Sequence, residues 1–208
     1  MNAVRLALLS LLLVVGLVAC KSSGARSVLV LSTSRLAADF GTYKFHRVGV
    51  LPVEGDLEGE AAVHLQQDLY TELSRSTPYE LVTLSRAELF DVRKSEPLRR
   101  GAHTPEALVE ISRRYRLDAI LFSHVPHRRL YPPLELSLQS ELVASDTGQV
   151  VWAASVHLDA SDERVRHGLE GFFSRDHDAE DGGAGWELAL LSPTRFARFA
   201  AYQIALQL

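Results

Sequence analysis

Between Leu134 and Asp159 the chain twice alternates apolar and polar residues, and no other stretch restricts the fold as tightly. The first arm sets Leu134, Leu136 and Leu138 against Glu135, Ser137 and Gln139, then continues through Ser140, Glu141 and Leu142. A period of two marks a strand with one buried face. Asp146-Thr147-Gly148 interrupts the alternation with turn residues, and Gly148 can supply a positive φ. Val150, Trp152, Ala154, Val156 and Leu158 then fall on one face of a second arm. The pattern predicts an antiparallel hairpin buried on one side.

The segments before the hairpin decide what it joins. Val48, Val50 and Leu51 within residues 46–52 predict a first strand, followed by an acidic loop over 54–58. A helix is expected over 59–75, with Ala62, Leu65, Leu69 and Leu73 on one face and Ser76-Thr77-Pro78 as its stop. Residues 79–83 read as a second strand. Ser85 with Glu88 fits a capping box, in which each side chain satisfies a free backbone donor of a helix bearing Ala87, Leu89 and Phe90. Residues 94–103 are charged, hold Pro97 and Gly101, and read as loop. Thr104-Pro105 opens a helix whose stripe is Ala107, Leu108, Ile111 and Tyr115. Residues 118–125 carry Ala119, Ile120, Leu121 and Phe122 without alternation, as a strand covered on both faces does.

After the hairpin, Ser161 is expected to cap a helix with Val165, Leu169, Phe172 and Phe173, weakened by Gly168 and Gly171 at about 1 kcal/mol each. Residues 175–185 are acidic and Gly-rich and read as loop. Ser192-Pro193 starts a last helix with Phe196, Phe199, Ala200, Ile204 and Leu208 inward. Strands alternating with helices imply parallel pairing, to which the hairpin adds antiparallel strands at one side. The expected fold class is α/β. Residues 46–208 form a single layered domain, a mixed sheet with a C-terminal-side antiparallel hairpin flanked by helices and a helical C-terminal extension.

Residues 1–19 read as an export signal. Asn2 to Arg5 carry one positive charge, Leu6 to Val18 are almost entirely apolar, and small residues follow. A bilayer span needs about 20 apolar residues, so the run is short for a permanent span. Leu17-Val18-Ala19-Cys20 resembles the lipobox of bacterial lipoproteins. The resemblance implies cleavage before Cys20, a diacylglycerol on its sulfur and acylation of the new amine. Cys20 is the only cysteine in the chain, and lipidation would consume a thiol otherwise left free in an oxidising compartment. Several acyl chains suffice for stable anchoring, at about 0.8 kcal/mol per buried CH₂. Lys21 follows the cysteine in place of the aspartate that resembles an inner-membrane retention signal, so by analogy the periplasmic face of the outer membrane is favoured. Residues 20–45 are expected to be a lipidated tether, in which the apolar run 28–31 adds an edge strand or packs against the domain. Stretched, that tether would reach roughly 90 Å, and relaxed about 25–30 Å.

Several segments resemble the periplasmic lipoproteins of the LpoB and CsgG type, whose core is similar to the N-terminal domain of TolB. Val48-Gly-Val-Leu-Pro-Val53 resembles their opening strand, and Leu65 to Leu73 their first amphipathic helix. Tyr79-Glu-Leu-Val-Thr-Leu-Ser-Arg86 is similar to the strand and arginine that follow. Tyr115-Arg-Leu-Asp-Ala-Ile-Leu-Phe122 resembles the approach to their central strand, and Asp146-Thr-Gly-Gln-Val-Val-Trp152 their late hairpin turn. The chain departs from them too. It lacks the two added amphipathic hairpins of a CsgG-type channel, and its tether is much shorter than that of the LpoB-type synthase activator.

Chemistry is harder to find. His124-Val-Pro-His127 invites a metal reading, with a third ligand from His46 or His157, and the alternative function is a metal-dependent envelope hydrolase using His124 and His127. The plain reading is a pair of polar loop histidines. Asp176, Asp178, Glu180 and Glu187 imitate calcium-ligand spacing, but Asp181 stands where an EF-hand needs glycine. Asp159, Asp162 and Glu163 resemble paired catalytic carboxylates and equally suit a helix N-terminus. Arg128-Arg129, Arg99-Arg100 and Arg113-Arg114 are candidates for a basic patch, and Phe172, Phe173 and Trp186 for an aromatic partner surface. No nucleophile elbow and no phosphate-binding Gly-rich loop is present. A net charge of −4 disfavours a nucleic-acid surface. The sequence therefore leads to a non-enzymatic protein with Cys20 as its lipidation site and no catalytic, cofactor or metal residues. Its expected partners are the membrane, through the anchor, and an envelope protein of cell-wall synthesis, secretion or transport. A self-assembling ring subunit is a further alternative.

Overall fold

The structure, a computed structural model, describes residues 28–90, 105–174 and 185–208. In chain order its elements are β1 (Thr33–Leu36), β2 (Arg47–Val50), β3 (Glu54–Gly55), α1 (Gly59–Ser76), β4 (Glu80–Thr83), α2 (Arg86–Phe90) and α3 (Pro105–Tyr115). They continue with β5 (Ala119–Arg129), β6 (Glu135–Ala144), β7 (Val150–Asp159), α4 (Glu163–Phe173), α5 (Gly185–Ala189) and α6 (Pro193–Ala205). The sheet is mixed and open, in the order β1-β7-β6-β5-β2-β4, with β3 beside β5. β2 runs parallel to β4 and β5, whereas β5, β6, β7 and β1 pair antiparallel in turn. This is the α/β layering that the sequence implies.

Side-chain alternation assigns the two faces. Leu121 and Val125 of β5, Leu138 and Leu142 of β6, and Trp152, Val156 and Leu158 of β7 meet Leu65, Leu69 and Leu73 of α1 and Phe196 and Phe199 of α6. The opposite faces of β5 and β6 present Ile120, Phe122 and Val143 to Leu89 of α2 and Ile111 of α3. The first half of β5 is thus covered on both sides, as its unbroken apolar run requires. Gln139 and His157, with Thr33 and Arg35 of β1, remain exposed on the second face. Among the described residues no helix lies over that half of the sheet.

Four expectations are corrected. The register shifts between Leu142 and Val143, so Val151 turns inward and Val150 is left 40% exposed instead of sharing the buried face of Trp152. β5 runs on to Arg129, so His124 and His127 belong to a strand, not to a loop after it. The edge strand forms at Thr33–Leu36, just beyond the apolar run 28–31, so part of the stretch assigned to the tether is sheet. Asp162, not Ser161, caps α4, by accepting the Arg164 N–H at 2.8 Å. The capping box at Ser85 forms as read: Glu88 accepts the Ser85 N–H at 2.7 Å, and Ser85 Oγ accepts the Glu88 N–H at 3.2 Å.

Candidate functional site

β5 bulges between His124 and His127, which places both rings on the open second face. Without the extra residue, alternation would turn His127 toward the core. Ser137 lies between His127 on β5 and His157 on β7 in one cross-strand row. His127 Nε2 meets Glu135 Oε2 at 3.0 Å, and His157 Nδ1 meets Ser137 Oγ at 2.8 Å. His46 stands at the other end of the sheet, where its backbone N–H donates to Asp118. Three histidines share a face, yet no group of three His, Cys, Asp or Glu side chains among the described residues is placed to hold a metal ion.

The remaining sequence candidates scatter. Asp159 accepts from the Ser161 N–H and Oγ at 2.8 and 2.7 Å, and these bonds hold its carboxyl below the usual range. With Asp162 it organises the start of α4. Arg128 faces Asp56 at 3.9 Å and Arg129 meets Glu135 at 2.5 Å, so neither offers an unneutralised cation. Phe172 is core, its ring tilted against those of Phe199 and Tyr202. Phe173 and Trp186 are half-buried, and Glu187 is exposed on α5. Cys20, Arg99-Arg100, Asp176, Asp178, Glu180 and Asp181 lie outside the described residues.

The unusual chemistry is in the seam between α1 and α6. Asp68 and Glu72 each follow a core leucine of α1 by three residues, which turns them toward the apolar stripe rather than to water. Glu72 is only 4% exposed and faces Arg75 at 3.1 Å and Arg198 of α6 at 3.7 Å. Arg198 also lies over the Phe172 ring, 5.7 Å from its centroid. Asp68 is less well served, because its Oδ2 is buried without a hydrogen-bond partner. Burial pushes its carboxyl up to about 6, against the pull of Arg198 and His64 and with added repulsion from Glu72.

Asp68 lines a cleft of about 60 Å³ bounded by Leu57, Leu65, Leu134 and Phe196. Ala61 and His64 of α1, Pro193 and Ala197 of α6, and Arg128 to Leu130 at the end of β5 complete its mouth. Leu130 is 43% exposed and the neighbouring Tyr131 80%. The sequence reading passed over this cleft. The available signal was the i+3 spacing of Asp68 and Glu72 from Leu65 and Leu69, which puts two carboxylates on a face that the same leucines mark as buried.

No family model matches the chain, and no curated protein sequence matches it. Solved structures are similar to it at low identity. The PelC dodecamer from Paraburkholderia phytofirmans is 11% identical over 81% of this chain and 97% of that one, with a TM-score of 0.43. Lipoprotein GNA1162 from Neisseria meningitidis is 17% identical over 62% and 91%, with a TM-score of 0.44. The LpoB C-terminal domain from Escherichia coli is 18% identical over 55% and 84%, with a TM-score of 0.40.

Proposed function

We propose that this chain is a non-catalytic envelope lipoprotein, anchored through Cys20 on the periplasmic face of the outer membrane and acting as a protein-interaction module in an envelope assembly. The observation that carries the reading is the order at the N-terminus. A charged start, an apolar run and Leu17-Val18-Ala19-Cys20 precede, by less than ten residues, a segment already docked on the folded body at Leu29 and Leu31. Among the described residues no helix is long and apolar enough to cross a membrane, so in this reading attachment falls to the acylated cysteine. Two of the three histidines of the open face, His127 and His157, are engaged with Glu135 and Ser137, and with His124 they form no cluster around a reacting position, which favours binding over catalysis.

Membrane fractionation of the wild type and of Cys20→Ser tests the reading. The wild type should sediment with membranes and yield an acylated N-terminal Cys20 peptide by mass spectrometry. Cys20→Ser should be released to the soluble fraction. Identical fractionation of the two, with no acyl modification on Cys20, rejects the anchor and the role built on it.

A further inference from the structure

We infer that the seam between α1 and α6 is a proton-sensitive joint: when Asp68 takes up a proton, α6 seats more firmly on α1 and holds residues 29–36 more tightly against the body. α6 makes two sets of contacts that bear on this. Toward α1, Arg198 faces the buried Glu72 at 3.7 Å, and Asp68 lies in the same seam. Further along the helix, the Gln203 side chain accepts the Leu31 N–H at 2.7 Å and donates to the Leu29 carbonyl at 3.1 Å. The Gln203 carbonyl accepts Ser32 Oγ, and Gln207 Nε2 donates to the same hydroxyl. Phe199 links the two sets, because its ring edge and a Leu31 methyl converge on Gly168 of α4. β1 is meanwhile paired to β7. A shift of α6 relative to the sheet therefore pulls on the bonds that hold the N-terminal segment.

Asp68 Oδ2 is buried without a hydrogen-bond partner, so an ionised carboxylate gains its missing hydration only when the seam opens. Burial outweighs every charge around it. Arg198 of α6 and His64 of α1 attract the carboxylate, while Glu72, itself served by Arg75 at 3.1 Å, repels it. Arg128 and Arg129 of β5 and Glu135 of β6 line the neighbouring cleft, where Asp56 and Glu135 pair with the two arginines. The closed seam thus holds the carboxyl at about 6, and an open, hydrated seam returns it toward 3.8. The closed form binds the proton more tightly than the open one. Its advantage is full below about pH 4 and is lost as pH rises through 6. The whole difference corresponds to on the order of a hundredfold in the opening equilibrium. Asp68 is only half-buried, and screening by water reduces the expected change to about fivefold.

Amide hydrogen exchange on the full-length protein in detergent tests the joint, with protection taken against the rate of the unstructured sequence at the same pH. In the wild type, protection of residues 29–36 and of residues 199–205 should fall together by about fivefold between pH 4 and pH 7. Asp68→Asn, which keeps the shape and cannot ionise, should hold both segments at the acid level throughout. Wild-type protection of residues 29–36 that does not change with pH overturns the joint. So does a fall of the same size in Asp68→Asn, or a fall over residues 199–205 that residues 29–36 do not share. The measurement reads the joint whether or not Cys20 is acylated, so its failure and the failure of the lipoprotein reading are separable.

Discussion

Asp68 holds a carboxylate on the apolar side of α1 with no donor to receive it, and its energetics have a definite sign. Its ordinary value of 3.8 is pushed up to about 6 by burial. The folded protein therefore binds its proton more tightly than the unfolded chain does. The penalty is absent below about pH 4, grows between pH 4 and 6, and is complete at neutral pH. Because the group is partly open to water, screening reduces the penalty to about 1 kcal/mol. Asp68→Asn should thus raise the urea midpoint at pH 7 and leave it nearly unchanged at pH 4. A variant less stable than wild type at pH 7 would mean that the attraction of Arg198 outweighs burial. Gly168 is a different residue-scale case. A Cβ there would come within 2.8 Å of Phe199 Cζ and 3.3 Å of a Leu31 methyl, so the glycine that weakens the helix on paper lets three elements close up. Gly168→Val should destabilise the fold by about 1–3 kcal/mol, read from the same urea curves. Stripes and caps such as Leu65-Leu69-Leu73 and Ser85-Glu88 were legible because they depend on spacing alone. Asp68 and Gly168 were not, since their meaning comes from what α6 brings against them: Arg198, 130 positions after Asp68, and Phe199, 31 positions after Gly168.

The element least secured by its own sequence is β1, four residues long and exposed throughout. Its stability is borrowed from α6. Gln203, fully buried, accepts the Leu31 N–H at 2.7 Å and donates to the Leu29 carbonyl at 3.1 Å. Ser32 Oγ donates to the Gln203 carbonyl at 2.6 Å, and Gln207 Nε2 donates back to Ser32 Oγ at 3.0 Å. One glutamine side chain thus does for residues 29–31 what a neighbouring strand would. Gln203→Leu leaves a partly buried N–H and C=O without their partner, at about 1 kcal/mol. Amide hydrogen exchange should therefore accelerate across residues 29–36 while β5 and β6 keep their protection. Acceleration spread evenly over the sheet would show that β1 and the core open together. The hairpin, by contrast, was readable because both arms carry their own alternation. Its one error, Val150, came from a bulge that slips one residue and leaves no mark in the alternation. The same kind of irregularity in β5 hid the shared face of His124 and His127.

For the whole molecule, if Cys20 anchors the chain as proposed, the docking of the N-terminal segment decides how far the body can travel from the membrane. Both margins of the sheet, β1 and β4, are four residues long, which leaves little edge for pairing with another chain. The anchoring stretch is the longer-range contact. If Cys20 is acylated, only nine residue-to-residue steps separate it from the clamped Leu29, and at about 3.5 Å each they reach no more than ~32 Å. Freed back to Phe45, the same stretch would reach roughly 90 Å. In the anchored protein the Gln203 and Gln207 clamp would therefore set the working height of the domain, and loosening it should be visible as distance. Cys20 is the only cysteine, so lipidation leaves a cysteine placed at the exposed Asp146 as the only free thiol for a donor dye. In vesicles carrying an acceptor lipid, Asp146→Cys on the wild-type background should transfer energy efficiently. The same site combined with Gln203→Leu and Gln207→Leu should transfer less. Equal transfer would mean that contacts other than the clamp, such as the Phe40, Tyr43 and Phe45 rings packed on the core, hold residues 29–45 in place.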